Sequence, residues 1–509
     1  MTQPWIQHIL LVPILLPLLC GAALAPLTQG WHRLKFALSY ASVLCLLATS
    51  LVLVAMTDGG YWQDGIGVYL AANWAAPFGI ALVADRLSAL MLVLTALLAL
   101  AALHFAKLRW GRIGVHFHTL FQFLVMGIDG AFLTHDLFNL FVFFEVMLAA
   151  SYGLVLHGYN AERLRASLQY VAMNLAASSL FLLGTALIYA TTGTLNMADL
   201  AARAAALGPE DAGLLQIGAA MLVLMTKVGA YAILRLWLLL FPVAAGEAAG
   251  FGYDALLVGG LVTIVYGAAG MLSTDSAGRM AGYGATVSSG TLLAVIGYGQ
   301  ASLVAAGLYY LIGSTLAIAA FLLLIELIDR IRTPRAAILA VTMEAWAVED
   351  APIDPVGRGV PAAMAFLALS FAACALMIAG LPPLSGFVAK FGMFHALLNP
   401  GAGQHIRASG WALMALVILS GLVAVISMLR FGVRTFWAGG AAVPPRLHRS
   451  EVMPVLFLLA LSVFMTVQAG PIFDYLGRTN AGIHRPQDYI ERVLHAAPVA
   501  GPAKTGEGA

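Results

Sequence analysis

Charged residues are scarce in this sequence. Asp, Glu, Lys and Arg make up 10% of the 509 residues, and 61% of the residues are hydrophobic. A soluble globular domain carries about a quarter charged residues, so a chain this apolar cannot hide its surface in one water-soluble core. The formal net charge of +2 provides no strongly basic surface for nucleic acid. The composition therefore indicates a membrane protein without a nucleic-acid partner.

Cysteine and the common cofactor motifs are also scarce. The three cysteines, Cys20, Cys45 and Cys374, lie inside apolar runs, where a cysteine packs as a small hydrophobic residue. No CxxC, HExxH, GxxxxGK[ST] or GxGxxG motif stands out. No dense group of oxygen ligands identifies a cation site. We therefore expect no cofactor, redox centre or nucleotide site, and the sequence leaves any metal-binding residues unknown.

Long apolar runs are abundant, and they predict an all-α, polytopic membrane bundle. Residues 5–27 continue into further spans, so we interpret them as the first transmembrane helix and not as a cleaved signal. We expect one transmembrane domain over residues 5–475 and a hydrophilic, poorly ordered tail over residues 476–509. The sequence predicts 13 spans, at residues 5–27, 34–56, 86–106, 114–134, 136–157, 166–190, 213–241, 252–273, 281–299, 302–328, 361–398, 410–437 and 452–475.

The long apolar segment 361–398 is interrupted by the sequence LPPLSG. Pro382 and Pro383 remove two backbone donors, and proline pushes the preceding residue away from helical geometry. We therefore predict two half-helices, 361–379 and 384–398, around a break. Irregular backbone at membrane depth persists only where protein or a water-filled cavity covers it, and such breaks are typical of transport sites.

The basic loops obey the positive-inside rule in the first six spans and break it afterwards. With the N-terminus outside, Arg33, Lys35, Lys107, Arg109, Arg112, Arg163 and Arg165 all fall inside. If segment 213–241 crosses the membrane once, however, the basic loop 330–359 falls outside. The loop between the last two spans, which carries Arg430, Arg434, Arg446 and Arg449, does so too. One further crossing near residues 213–241 would restore the rule. The alternative is that late loops follow the rule less strictly.

Three ionisable residues lie deep in apolar spans: Glu145, Lys227 and Lys390. Each costs about 2.5–3.5 kcal/mol at the centre of a membrane helix, so each is a candidate functional residue. A buried carboxyl near a lysine can exchange a proton with it. The alternative for Glu145 is a structural ion pair. The alternative for the lysines is that each side chain extends to the interface, as Arg235 would beside Lys227.

Other polar residues give weaker signals. Asp136 lies nine positions before Glu145, about half a turn round the helix, and is predicted to cap the helix start. Asp129 lies near a helix end and is predicted to be partly within the membrane. His135 flanks a span end, where an interfacial or packing role is expected.

Three motifs carry a family resemblance: HDLFNLFVFFEVMLAASYGLVLHG, MTKVGAYAILRLW and AGLPPLSGFVAKFGMF. Together they resemble the D-type subunits of the Mrp-type multisubunit cation/proton antiporters, above all the Pha potassium/proton branch. Proton-pumping membrane subunits of respiratory complex I belong to the same superfamily. The resemblance implies 14 helices in two inverted five-helix repeats, here about 114–241 and 252–437, each with a broken helix. It also implies that protons move along buried Glu and Lys residues joined by water.

By position, Glu145 matches the glutamate of the family's fifth helix, Lys227 the lysine of the eighth and Lys390 the lysine of the broken twelfth. The family has a further lysine on a broken seventh helix, about 30 residues before the TKVG motif. Here no proline lies between Pro209 and Pro242, and residues 216–224 run directly into that motif. We therefore expect an internal deletion near residues 213–226 that leaves one fused span.

Three functions follow as hypotheses. The first is a membrane subunit of a K⁺ or Na⁺/proton antiporter in a bacterial inner membrane. It would work with other membrane subunits and carry protons through Glu145, Lys227 and Lys390; such a subunit is a secondary transporter and not an enzyme. The second is a proton-pumping subunit of a redox-driven complex, such as complex I or a membrane hydrogenase. The third is a scaffold that the deletion has made transport-inactive.

Overall fold

The structure is a computed structural model that describes residues 4–108, 114–157, 161–222, 227–242, 250–329, 362–401, 405–437 and 447–498. Within these ranges the fold is helical. Its α-helices are α1 (Val12–Leu24), α2 (His32–Asp58), α3 (Arg86–Ala106), α4 (Phe117–Leu133), α5 (Leu137–Val155), α6 (Ala161–Thr192), α7 (Met197–Ala204), α8 (Pro209–Leu222), α9 (Lys227–Leu240), α10 (Tyr253–Ser273), α11 (Ala277–Tyr298), α12 (Ala301–Ile328), α13 (Ala362–Ala379), α14 (Ser385–Leu398), α15 (Ala408–Gly432), α16 (Arg449–Val467), α17 (Ala469–Ile483) and α18 (Pro486–Leu494).

Short elements complete the described fold. Two antiparallel strands, β1 (Gly67–Leu70) and β2 (Ala81–Ala84), pair with Gly67 opposite Ala84. They lie between α2 and α3. Short 3₁₀ and π segments cover Pro4–Leu11, Gln29–Trp31, Gln63–Gly65, Ala71–Asn73 and Val433–Trp437.

Helix length and composition fit a membrane protein. Ten described helices are long and apolar enough to cross a bilayer. Large apolar side chains on these helices face outward; Met173 is 68% exposed and Val467 is 74% exposed. Such side chains on long helices suit contact with lipid or with another membrane subunit. The prediction of an all-α, polytopic membrane bundle is therefore confirmed.

The chain divides into two compact units. The first unit contains residues Met1–Gly252 and Thr479–Ala509, and the second contains Tyr253–Arg478. In the first unit, Val43, Leu46, Leu100, Phe121 and Val125 form a buried apolar cluster between α2, α3 and α4. In the second unit, α10 and α11 pack so closely that a Cβ on Gly260 would lie 2.7 Å from the Gly290 carbonyl oxygen.

The two ends of the first unit are identified by different residues. At one end Lys35 donates a hydrogen bond to the Val115 carbonyl oxygen at 2.7 Å. Lys107 lies at the same end, over the Phe36 ring at 5.0 Å. The opposite end holds Asp85 and His135. The positive-inside rule predicts that the lysine end is cytoplasmic, and we call the opposite end the outer end.

The break in segment 361–398 is confirmed. Helix α13 ends at Ala379, and α14 begins at Ser385. Gly380 follows α13 with φ +78°, a left-handed conformation that only glycine adopts freely. The Gly380 and Leu381 N–H groups both donate to the Leu376 carbonyl oxygen at 2.9 Å and close the first half-helix. The predicted half-helices therefore match the observed ones within a residue at each end.

Segment 213–241, predicted as one fused span, contains two short helices instead. Helix α8 packs antiparallel to α6: a Cβ on Gly184 would lie 2.9 Å from Met221 Cβ, and one on Gly218 would lie 2.9 Å from Ile188 Cγ1. It therefore runs inward from the outer end. Helix α9 runs back toward that end, because Arg235, two turns after Lys227, reaches Asp85. Each has 14 residues and is about 21 Å long, against a hydrocarbon core of about 30 Å.

This helical hairpin changes the number of crossings in the first unit. Because α8 and α9 enter and leave at the outer end, the pair adds no net crossing. After α9, Trp237 Nε1 donates to the Phe251 carbonyl oxygen at 2.9 Å. The basic loop 330–359 lies outside the described residues, so the side of the membrane on which it lies stays a prediction.

The region predicted as a tail starts with ordered helices. Helix α17 extends to Ile483, and α18 covers Pro486–Leu494. Tyr489 and Val493 are buried on one side of α18, which explains why this segment folds against the first unit. Residues 499–509 lie outside the described part of the chain.

Candidate functional site

The broken helix supplies the partner of Lys390. This lysine lies on α14, and its side chain is 8% exposed. Its Nζ donates a hydrogen bond to the carbonyl oxygen of Ala379 at 2.6 Å. Ala379 is the last residue of α13, where free carbonyl groups and the helix dipole favour a cation. A continuous helix would have no free carbonyl group at this point.

Two glycines make room for the Lys390 side chain. A Cβ on Gly421 in α15 would lie 2.9 Å from Lys390 Nζ and 2.7 Å from the Ala379 carbonyl oxygen. A Cβ on Gly380 would lie 2.5 Å from Lys390 Cδ. No other residue fits at either position without displacing the lysine. Neither glycine was predicted from the sequence, although Gly380 sits two residues before the double proline.

Lys390 borders a small, mainly apolar cavity of about 20 Å³. Serine and tyrosine hydroxyls line it together with the lysine: Ser288, Tyr310, Ser314 and Ser420. Ser288 Oγ donates to Ser314 Oγ at 2.8 Å. The cavity has room for about one water molecule beside these hydroxyls. A water bound there would give the Lys390 amine a partner for proton exchange.

Glu145 lies half-buried on α5. Its Oε1 atom is buried and makes no hydrogen bond within the described structure. An ionised carboxylate with such an oxygen is costly, whereas a protonated or cation-paired one is not. The role of Glu145 in proton transfer stays a prediction.

Lys227 is the first residue of α9, at the inner end of the hairpin. Its side chain lies outside the described part of the structure, as do residues 223–226. Pairing between Glu145 and Lys227 therefore stays a prediction. The helix itself places Lys227 one turn before Tyr231 and two turns before Arg235.

Arg235 makes a buried ion pair at the outer end and does not extend to the interface alone. Its side chain is 8% exposed. Arg235 Nη1 lies 2.6 Å from Asp85 Oδ2, and Nη2 donates to Asp85 Oδ1 at 2.8 Å. Asp85 also caps α3 by accepting from the Ser88 N–H at 2.8 Å. This pair could not be predicted from the sequence, because its two members are 150 positions apart.

His135 anchors the C-terminal helix at the same end. The Ala198 N–H donates to His135 Nε2 at 3.1 Å, and His135 Nδ1 contacts the Tyr489 hydroxyl. Burial lowers the pKa of His135 to about 3, and the nearby positive charge of Arg235 adds to this effect. The imidazole is therefore neutral; because Nε2 accepts, Nδ1 carries the proton and donates to Tyr489. The packing role predicted for His135 fits this geometry.

Asp129 is a buried acid whose sequence context gave only a weak signal. Its side chain on α4 is 0% exposed, and both carboxyl oxygens are without a hydrogen-bond partner in the described structure. Asp136, by contrast, caps α5 by accepting from the Asn139 N–H at 2.9 Å. Within the described residues no three His, Cys, Asp or Glu side chains group as metal ligands.

Relatives match the chain over nearly its full length. A D-type subunit of Rhizobium meliloti (strain 1021), named as part of a probable K(+)/H(+) antiporter, is 48% identical over 98% of this chain and 99% of its own. A D-type subunit of Alkalihalophilus pseudofirmus, named as part of a Na(+)/H(+) antiporter, is 31% identical over 96% of this chain and 99% of its own. The family model "NADH:quinone oxidoreductase/Mrp antiporter, TM" matches residues 134–217.

Solved structures share the fold. A chain of the Mrp complex from Dietzia sp. DQ12-45-1b aligns with a TM-score of 0.78 and 25% identity over 97% of this chain and all of that one. A chain of respiratory complex I from Thermus thermophilus aligns with a TM-score of 0.68 and 21% identity over 96% of this chain and 100% of that one, a likeness that concerns the fold alone.

The Rhizobium relative also reveals a shortfall in this chain. The alignment covers 535 positions, whereas 98% of 509 residues is about 499 residues, so about 36 positions have no residue here. The family match ends at residue 217, within α8. The position of the unmatched residues along the chain is not fixed by this comparison, so the deletion near residues 213–226 stays a prediction.

Proposed function

Because the chain belongs to the family of D-type subunits of Mrp-type cation/proton antiporters, we propose that it carries protons through Glu145, Lys227 and Lys390 in a monovalent cation/proton antiporter. The chain is a multi-pass membrane subunit of this kind. Proton movement through the three residues and bound water is coupled to cation export by the wider complex. The sequence of this chain does not identify the residues that bind the cation in that complex.

The contact between Lys390 and Ala379 is the observation that carries this proposal. A charged ammonium group donates to the Ala379 carbonyl oxygen and keeps N–H groups for the cavity. When the amine gives up one proton, it still holds the carbonyl and gains a lone pair for water. The site therefore keeps its geometry in both protonation states, which is what a relay residue needs.

We propose K⁺ as the exported ion and a bacterial inner membrane as the location. The Rhizobium relative named for K⁺ is 48% identical, whereas the Alkalihalophilus relative named for Na⁺ is 31% identical. Partners are the other membrane subunits, as the names of both relatives indicate. The redox-driven alternative rests on a likeness of fold, which does not by itself carry function.

The test uses the complete complex in sealed vesicles with an imposed proton gradient. Added K⁺ should dissipate the gradient without any electron donor, and K⁺ should act at lower concentration than Na⁺. Proton movement that needs an electron donor would establish the redox-driven alternative. An assembled complex without any ion flux would establish the transport-inactive scaffold.

A further inference from the structure

Two arginines at one end of the second unit share a single aspartate. Arg430 lies in the last turn of α15, and Arg434 lies in the short π segment that follows it. Arg434 Nη1 lies 2.8 Å from Asp275 Oδ1, and Arg430 Nη2 lies 3.4 Å from the same oxygen. Because two positive charges meet one negative charge, the group keeps a net charge of +1. We call Asp275, Arg430 and Arg434 the arginine cluster.

Backbone carbonyl groups hold Arg430 where two membrane helices end. Arg430 Nη2 donates to the Leu272 carbonyl oxygen at 2.8 Å and to the Thr274 carbonyl oxygen at 3.0 Å. Helix α10 ends at Ser273, and the last carbonyl groups of a helix have no partner within it. Because α10 has 21 residues and is about 31 Å long, its end reaches the headgroup region of a bilayer. The cluster therefore lies at the depth of lipid headgroups.

The cluster still presents hydrogen-bond donors outward. The side chain of Arg430 is 35% exposed, and that of Arg434 is 54% exposed. A guanidinium group has five N–H donors. Within the described residues the contacts of Arg430 use Nη2, and the ion pair of Arg434 uses Nη1. The remaining donors of these two neighbouring groups match the oxygens of a phosphate group.

An apolar stripe on α15 leads to the cluster. Leu422, Ile426, Leu429 and Val433 recur every three or four residues, so they lie along one side of the helix. Their exposed fractions are 55%, 46%, 62% and 45%, so this side faces away from the bundle. From Leu422 to Val433 the stripe is about 16 Å long, which is about half of a hydrocarbon core of about 30 Å. It therefore has the length of the acyl chains of one leaflet.

A second apolar stripe follows α10 to the same end. Val262, Val265 and Leu272 are 61%, 50% and 41% exposed. Helices α10 and α15 pack against each other, and Arg430 bonds to Leu272, so the two stripes meet at the cluster. Membrane helices pair through small residues, whereas these side chains are large and branched. The surface therefore suits lipid acyl chains better than a partner helix.

We propose that the arginine cluster and the two stripes form a binding site for an anionic phospholipid. The phosphate group accepts hydrogen bonds from Arg430 and Arg434, and the acyl chains lie along α10 and α15. The net positive charge of the cluster favours a negative headgroup over a zwitterionic one. Asp275 holds the two guanidinium groups side by side. The bound lipid ties the ends of α10 and α15 together, and its binding does not depend on the proposed antiporter function.

Binding of phosphatidylglycerol to the complete, delipidated complex tests the site. Native mass spectrometry counts the bound lipid molecules at each added concentration. Arg434→Gln removes one charge and leaves the backbone bonds of Arg430 in place, so the fold should persist. One arginine near an anionic headgroup changes the affinity roughly fivefold, so the phosphatidylglycerol concentration that fills the site should rise by that factor. Phosphatidylcholine should bind the unchanged complex more weakly than phosphatidylglycerol does.

Asp275→Asn separates lipid binding from a purely structural role of the cluster. The amide oxygen still accepts hydrogen bonds from the arginines, and the net charge of the cluster rises to +2. Phosphatidylglycerol should therefore bind about fivefold more tightly. Arg449→Gln is the matched control, because it removes an exposed arginine from the start of α16. Its phosphatidylglycerol binding should equal that of the unchanged complex.

Three results would overturn the lipid site. The first is equal phosphatidylglycerol binding in the unchanged complex and in Arg434→Gln, and the second is weaker binding in Asp275→Asn. The third is a partner subunit that covers the cluster: the complex would then bind no phosphatidylglycerol there, and Val433→Cys would form a cross-link to that subunit. Because lipid binding is measured without an ion gradient, absence of cation-dependent flux in the unchanged complex would contradict only the proposed function.

Discussion

Lys390 shows how a buried charge is made tolerable residue by residue. Its cost at membrane depth identified it in the sequence, but the groups that offset this cost could not be predicted. They are the Ala379 carbonyl group and Gly380 at the end of α13, and Gly421 in α15. The burial of Asp129 could not be predicted for a similar reason: the composition of its own helix gives no measure of what packs against it.

Gly421→Ala tests whether the space around the Lys390 amine matters. The new methyl group would meet Lys390 Nζ at 2.9 Å and the Ala379 oxygen at 2.7 Å. Overpacking costs about 1–3 kcal/mol, and 1.4 kcal/mol corresponds to a tenfold change. We expect the cation-dependent proton flux to fall about tenfold although Lys390 itself is unchanged.

Gly278→Ala is the matched control for this substitution. A Cβ at Gly278 meets nothing within 4 Å, so both assembly and flux should be unaffected. Equal flux in Gly421→Ala and Gly278→Ala, at equal amounts of assembled complex, would show that the tight fit around Lys390 has no role in transport.

At the scale of elements, the sequence predicts those features that local backbone chemistry determines. The two prolines of LPPLSG predict the break between α13 and α14 almost to the residue. The hairpin of α8 and α9 could not be predicted, because its residues form one continuous apolar run. Its direction depends on contacts with α6 and α4 that are distant in sequence. The only sequence signal against a single crossing of this segment was the distribution of basic loops between the two sides of the membrane.

The hairpin of α8 and α9 is the structure that the expected internal deletion would leave. Loss of the rear of one span together with the front of the next leaves two half-length helices that still return to the same side. A deletion of this kind would remove an even number of crossings from the first unit. Lys227 then lies at the inner end of the hairpin, at mid-membrane depth.

Cysteine labelling tests the hairpin directly. Two exposed residues bracket the hairpin in the sequence. Asp211 lies in the first turn of α8, where the hairpin begins, and Asp254 lies in the first turn of α10, after the hairpin ends. In a background that lacks Cys20, Cys45 and Cys374, we expect a membrane-impermeant maleimide to label both Asp211→Cys and Asp254→Cys from outside the cell. The control Asp275→Cys, after α10, should be labelled only from the cytoplasm.

A crossing at residues 213–241 would give a different pattern. Asp211→Cys and Asp254→Cys would then be labelled from opposite sides of the membrane. That outcome would also return the basic loop 330–359 to the outside and rule out the hairpin.

At the scale of the whole molecule, family, fold and charge pattern lead to one function. The chain matches antiporter subunits over nearly its full length, and its second unit contains an intact broken-helix site at Lys390. The described residues of its first unit contain no counterpart of the broken seventh helix that the resemblance implies. We therefore expect the shortened chain still to conduct protons, with Lys390 as the residue that the structure describes most completely.

Proton flux through the assembled complex with Lys390→Ala tests this central claim most directly. The unchanged complex should exchange K⁺ for protons, and Lys390→Ala should abolish this exchange, as should Glu145→Ala. Assembly is measured in the same vesicles from the amount of each partner subunit. Unchanged K⁺-dependent proton flux in a fully assembled Lys390→Ala complex would contradict the proposed relay.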